Sequence, residues 1–217
     1  MKKFILSLII LLFIVGNTQL KSQWNTSFNT NTSITKVLVH NDLLLVGTSG
    51  NGVWVSKNKG VTWDSLPIPT KTNNISDIIY KESFLIVGCL EDGIYMSSND
   101  GITWKSITNS TMGKNSEVMT ILNNKLYVRE SNSRVYFVED LDNEPQWSAV
   151  NIDDLPYPVW DIAAKDNYLW VGTQYGKLYK SSDDGVTWED VNAGTFGFSI
   201  KKIYFTDNMI ILGTSEG

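Results

Sequence analysis

Tryptophan returns at a near-constant step along this chain, at Trp63, Trp104, Trp147 and Trp188, with gaps of 41, 43 and 41 residues. Three of the four close an octapeptide of one type: SKNKGVTW at 56–63, SSNDGITW at 97–104 and SSDDGVTW at 181–188. Other positions keep the step. Gly47, Gly88, Gly172 and Gly213 align, with Arg129 standing in the third unit, and so do Trp54, Tyr95, Tyr136 and Tyr179. The units are read as opening at Ile34, Ile75, Val118, Val159 and Ile200. A chain with such a period is built from one structural block that buries its apolar face only by stacking on copies of itself.

The block is made of strands. Each unit holds short β-branched and aromatic runs bounded by Gly, Asn, Asp and Ser, and no helical stripe follows residue 23. In the second unit the runs 75–80, 84–89, 93–97 and 103–107 predict four antiparallel strands, innermost to outermost. Four short strands per unit of about 40 residues indicate a blade of a β-propeller. The chain is therefore expected to be all-β, with a propeller at 23–217. Complete blades are expected at 34–66, 75–107, 118–150 and 159–191, and the first two strands of a fifth at 200–217. Residues 23–28, around Trp24, read as an outermost strand without its own blade, of the kind that closes a ring. On this reading the chain stops partway through a blade, and the ring has at least five.

The first residues point outside the cell. Met1-Lys2-Lys3 precedes an apolar run to Val15, broken only by Ser7. This reads as a signal peptide over 1–22, too short to span a bilayer comfortably. Secretion or display at the cell surface follows, with no membrane span after cleavage. The formal net charge is −5, and loss of Lys2, Lys3 and Lys21 leaves about −8. That sign opposes a nucleic-acid partner, because phosphate backbones are held by clustered Lys and Arg. The lone Cys89 forms no disulfide framework and reads as a small buried hydrophobe. The lone His40 excludes a multi-His metal site and reads as a surface residue; no metal or cofactor is expected.

The octapeptide resembles the Asp-box of BNR repeats, S-x-D-x-G-x-T-W. Ser181, Asp183, Gly185, Thr187 and Trp188 fill every position. The first two boxes carry Ser56, Asn58, Gly60 and Trp63, then Ser97, Asn99, Gly101 and Trp104, with Asn for Asp; the third keeps only Trp147. These residues are read as structural. A side-chain oxygen holds the turn between strands three and four, Gly tolerates positive φ, and Trp packs between blades. Such turns lie on the face opposite the mouth where ligands are expected.

The mouth is expected to gather residues from innermost strands and from the turns after second strands. Aligned inner positions are Lys36, Asp77, Thr120, Asp161 and Lys202; the turns add Glu91, Asp92, Glu130, Gln174 and Tyr175. Asp77 and Asp161 are candidates for the paired carboxylates of a glycosidase. Tyr157, Trp160 and Tyr175 are candidates for stacking on a sugar, whereas Trp170 is read as core. Together, Asp77, Glu91, Asp92, Tyr157, Trp160, Asp161 and Tyr175 form the expected ligand set. The resemblance extends to sialidases, which hold their substrate carboxylate with three Arg. This chain has only Arg129 and Arg134, which excludes a complete sialidase site. Xyloglucanase-like hydrolases share the repeat style but use a catalytic Asp from each of two propellers. Propellers of the photosystem II assembly factor type are similar and non-enzymatic. The resemblance implies an exported, non-catalytic propeller of Gram-negative type that binds a protein or glycan. The alternative is an Asp-box glycoside hydrolase acting on polysaccharide.

Overall fold

The computed structural model describes residues 32–194 and 197–216. The expected leader and the strand around Trp24 lie outside the described residues.

The strands appear in chain order and pair with their neighbours in sequence. The first sheet holds β1 (Ile34–His40), β2 (Leu43–Thr48), β3 (Val53–Ser56) and β4 (Asp64–Ser65). The second holds β5 (Ile75–Lys81), β6 (Phe84–Cys89), β7 (Gly93–Ser97) and β8 (Lys105–Ser106). In the third are β9 (Ser116–Leu122), β10 (Lys125–Glu130), β11 (Val135–Val138) and β12 (Ser148–Ala149). The fourth comprises β13 (Val159–Lys165), β14 (Tyr168–Thr173), β15 (Leu178–Ser181) and β16 (Glu189–Asp190). Finally β17 (Ile200–Phe205) pairs with β18 (Ile210–Thr214). The innermost strands β1, β5, β9, β13 and β17 pack side by side in that order. The outermost strands are shorter than expected, two residues each, and the box tryptophans stand just before them.

Apolar side chains meet between blades rather than within them. One core joins Ile86, Ile94 and Met96 of the second blade to Met119, Leu126, Val128 and Trp147 of the third. Equivalent cores join the first blade to the second, the third to the fourth, and the fourth to β17 and β18. Trp170 belongs to the last of these, as expected. Cys89 is fully buried, and burial followed by the charge of Asp92 pushes its thiol up to about 12. His40 departs from expectation: it is half-buried, with its ring stacked 3.7 Å from that of Tyr80.

The third blade corrects the repeat alignment. Its innermost strand begins at Ser116, which faces Glu130 as Ile75 faces Cys89. Val118 faces Arg129 as Asp77 faces Gly88, so Val118 and not Thr120 occupies the inner position. The two extra residues of this unit fall in the degenerate box between Val138 and Trp147. Everything before that box keeps the 41-residue step.

The three complete boxes are closed hydrogen-bonded turns. Ser97 Oγ accepts the Gly101 N–H at 2.9 Å and donates to Asn99 Oδ1 at 2.9 Å, which also accepts the Thr103 N–H at 2.9 Å. Ser56 and Asn58 repeat this in the first blade, and Ser181 and Asp183 in the fourth. Gly60, Gly101 and Gly185 take φ of 87°, 86° and 90°. Trp63 and Trp104 donate to the carbonyls of their own turns, at Gly60 and Gly101. Trp147 and Trp188 instead reach the preceding blade, donating to Ile107 O at 2.7 Å and Asn151 O at 2.8 Å.

Candidate functional site

Each innermost strand carries a β-bulge at the same place. The register shifts fall at Thr35, Ser76, Glu117, Trp160 and Lys201. A bulge re-aims one side chain and sharpens the local twist, and bulges favour the rims of sites. Here it supplies one residue per blade, followed by Lys36, Asp77, Val118, Asp161 and Lys202 one step deeper. The alternating period of a strand does not reveal such an extra residue, so the sequence reading missed Glu117 and Lys201.

Asp77 and Asp161 take part in one repeated device. Asp77 is 3% exposed; its Oδ2 accepts the N–H of Met119 on the next blade at 2.8 Å, and its Oδ1 pairs with Lys36 of the preceding blade. Asp161 is 0% exposed; its Oδ2 accepts the N–H of Ile203 on the next blade at 2.7 Å, and Lys202 Nζ lies 3.0 Å from its Oδ1. Burial pushes the Asp161 carboxyl above the usual carboxylate range, against the pull of Lys202 and the Ile203 N–H. Both acids latch one blade to the next, with both carboxylate oxygens of each engaged.

Of the remaining expected residues, three line two clefts on the mouth face, and Trp160 and Tyr175 line neither. Glu91 and Asp92 border one of about 460 Å³, with Lys71, Tyr95, Thr108 and Lys114. Asp92 is structural: its Oδ2 accepts from Lys71 N, Thr72 N and Thr72 Oγ1 at 2.8–3.0 Å. Burial raises its carboxyl, but these bonds outweigh it and hold Asp92 below the usual range. Tyr157 lines the other cleft, of about 370 Å³, between the Asn132–Ser133–Arg134 turn and the link through Leu155, Pro156 and Pro158. Tyr175 meets Tyr157 edge-to-face, with ring centroids 5.1 Å apart. Trp160 is 36% exposed, but Lys201 Nζ covers one face of its ring at 2.9 Å from the centroid.

Tyr175 has a strained backbone. Its φ of 62° is left-handed, a conformation that bulky residues avoid. Gly50 holds the matching turn position of the first blade, with φ of 97°. An exposed aromatic kept in such a conformation, 56% accessible here, is a pattern of ligand-contact sites.

The third blade departs from its neighbours at the end of its second strand. Other blades carry Gly47-Thr48, Gly172-Thr173 and Gly213-Thr214, where this one has Arg129-Glu130. Thr48 and Thr173 close their turns by donating to Gly52 O at 2.8 Å and Lys177 O at 3.0 Å. Arg129 is buried and pairs with Glu117, the bulge residue. Glu130 is buried too, and its carboxyl is pushed up by burial, against Gly113 N–H, Arg134 and Asn132. Among the described residues no group of three His, Cys, Asp or Glu is placed to hold a metal.

No family model and no curated protein matches this chain. Solved structures do. YCF48 from Cyanidioschyzon merolae superposes with a TM-score of 0.66 at 16% identity, covering 87% of this chain and 69% of its own. The extracellular domain of a hybrid two component system from B. thetaiotaomicron gives 0.67 at 15% identity, over 86% of this chain and 26% of the other. The GH74 enzyme of Niastella koreensis gives 0.56 at 21% identity, over 70% and 28%. The fold is a β-propeller. These likenesses include an enzyme, an extracellular domain and YCF48, so the fold by itself leaves the activity open.

Proposed function

We propose that this chain is an exported β-propeller that binds a protein or glycan through its mouth face and carries out no chemistry on it. The state of Asp77 and Asp161 carries the reading. Each is engaged by a backbone N–H of the next blade and a lysine, so among the described residues these two aligned carboxylates do not stand free as an acid–base pair. The mouth instead offers clefts of ligand size, one of them lined by half-buried Tyr157 with exposed Tyr175 against it. Two likenesses support binding: YCF48 has been solved bound to a D1 peptide, and another neighbour is an extracellular domain. Export rests on the N-terminal apolar run after Lys2-Lys3. The repeats are read as Asp-boxes of the BNR class from their octapeptides. The alternative, an Asp-box glycoside hydrolase, is favoured by the GH74 likeness alone.

The test offers the chain to glycan and surface-protein arrays while following reducing-end release from the same polysaccharides. Retention of a partner that Tyr157→Ala and Tyr175→Ala weaken, with no hydrolysis, is expected. Hydrolysis that disappears in folded Asp161→Asn would overturn the reading in favour of the hydrolase. Binding to nothing on either array would also overturn it.

A further inference from the structure

The cleft between the third and fourth blades is lined by Tyr157, whose ring meets that of Tyr175 edge-to-face, by the cation Arg134 and by the exposed acid Asp153. Arg134 lies on its wall, exposed, and makes no ion pair among the described residues. The nearby acid Glu130 is buried, and burial raises its carboxyl although the Gly113 N–H and the Arg134 charge oppose this. The cleft presents the exposed Arg134 guanidinium beside Tyr157, which meets Tyr175, although the whole chain is negative.

The walls also discriminate between ligand classes. They consist of a turn, 132–134, a proline-flanked link, 152–158, and the buried first residue of β13, Val159. One strand residue is too short an edge to offer a ladder of N–H and C=O groups to an extended peptide. Aromatic faces and a fork of N–H donors suit a sugar ring bearing a carboxylate. Tyr175 is held out by a backbone conformation that Gly50 adopts in the first blade without strain. The Tyr175 side chain stays 56% exposed, with its ring against that of Tyr157.

We propose that this cleft binds an acidic glycan, with a uronic acid ring against Tyr175 and Tyr157 and its carboxylate paired with Arg134. The proposal rests on the mouth face being a binding face and names the ligand class for it.

The experiment titrates the chain, by calorimetry, with oligomers of polygalacturonate, alginate and glucuronoxylan, each beside its carboxyl-reduced counterpart. At least one acidic oligomer is expected to bind, and its reduction to weaken binding ten-fold or more. Arg134→Ala should reproduce that loss and Arg134→Lys should restore part of it. Tyr175→Gly should leave the thermal midpoint unchanged or raised yet weaken the acidic oligomer ten-fold or more, which a purely structural role would not produce. Equal affinity for acidic and reduced oligomers overturns the proposal, as does unchanged affinity in Arg134→Ala. Failure to bind any acidic oligomer, in a chain that retains a protein partner on the array, overturns the proposal and leaves the binding function standing. Failure to bind any partner overturns both.

Discussion

Of the three complete octapeptide turns, that of the fourth blade alone has an acid at its third position. The Thr187 hydroxyl and N–H and the Ser181 hydroxyl donate to Asp183 at 2.6–2.9 Å and hold its carboxyl down to about 2. An unfolded aspartate titrates near pH 3.9. A depressed folded value means that the stabilisation is present above about pH 4 and is lost as pH falls through about 2. Asp183→Asn, which copies Asn58 and Asn99, should flatten that acid limb when unfolding is followed by urea between pH 4 and 2. Identical acid losses in both proteins would show that the carboxylate contributes nothing there. At Asp161 the expected effect is on stability at neutral pH. Lys202 is 58% exposed at its side chain and can rehydrate, but the Ile203 N–H cannot. Asp161→Ala should therefore cost about 1–3 kcal/mol, the penalty of one orphaned buried donor, rather than the larger figure for a fully buried broken pair. Asp161→Asn, which keeps an acceptor, should cost less in the same urea titration. Equal losses would mean that the hydrogen bond to Ile203 is not what matters.

Strand positions were legible because apolar runs, turn residues and the tryptophan step agree over most units. Agreement fails where the box is lost. In the third unit the regular step places the opening at Val118, 41 residues before Val159, whereas the strand begins two residues earlier at Ser116. The extra pair sits in the Asp140–Gln146 turn, which no box motif anchors. The bulges were also invisible, and with them the identity of the mouth ring. Asp77 and Asp161 were visible as aligned carboxylates; their partners were not, because a backbone N–H leaves no mark on a sequence. Tyr157 and Tyr175 were grouped with Trp160 as mouth aromatics, because their turn and link fall on the same face; the contact between the two rings left no mark on the sequence. The recurring glycine, by contrast, has a clear physical cause. A Cβ on Gly172 would stand 2.4 Å from Ile200 Cγ2 and 2.9 Å from Ile200 Cβ, on the next innermost strand. Gly172→Ala should cost about 1–3 kcal/mol by overpacking. In an Ile200→Ala background the same change should cost less, giving a coupling energy in a double-mutant cycle. Strict additivity would remove the contact as the reason for the glycine.

Across the molecule, stability resides at the joints between blades. Ile86 lies in the second blade, fully buried, but its core includes Leu126 and Val128 of the third. Ile86→Ala should cost about 2–5 kcal/mol. Amide exchange should quicken in β10 as well as in β6, because neither blade completes that core alone. Faster exchange confined to β6 would mean that blades are stable units in themselves. The latches from Asp77 and Asp161 add a direction to this arrangement, since each carboxylate accepts from the blade that follows it. During synthesis such a chain is always unfinished at its leading blade. At roughly 5–20 residues per second, a repeat of about 40 residues takes about 2–8 s to emerge. For that interval the newest blade has half a core, and the second and fourth also have an aspartate with nothing to accept. Any chaperone that accompanies the nascent chain has a moving target, and it lies one repeat behind the ribosome.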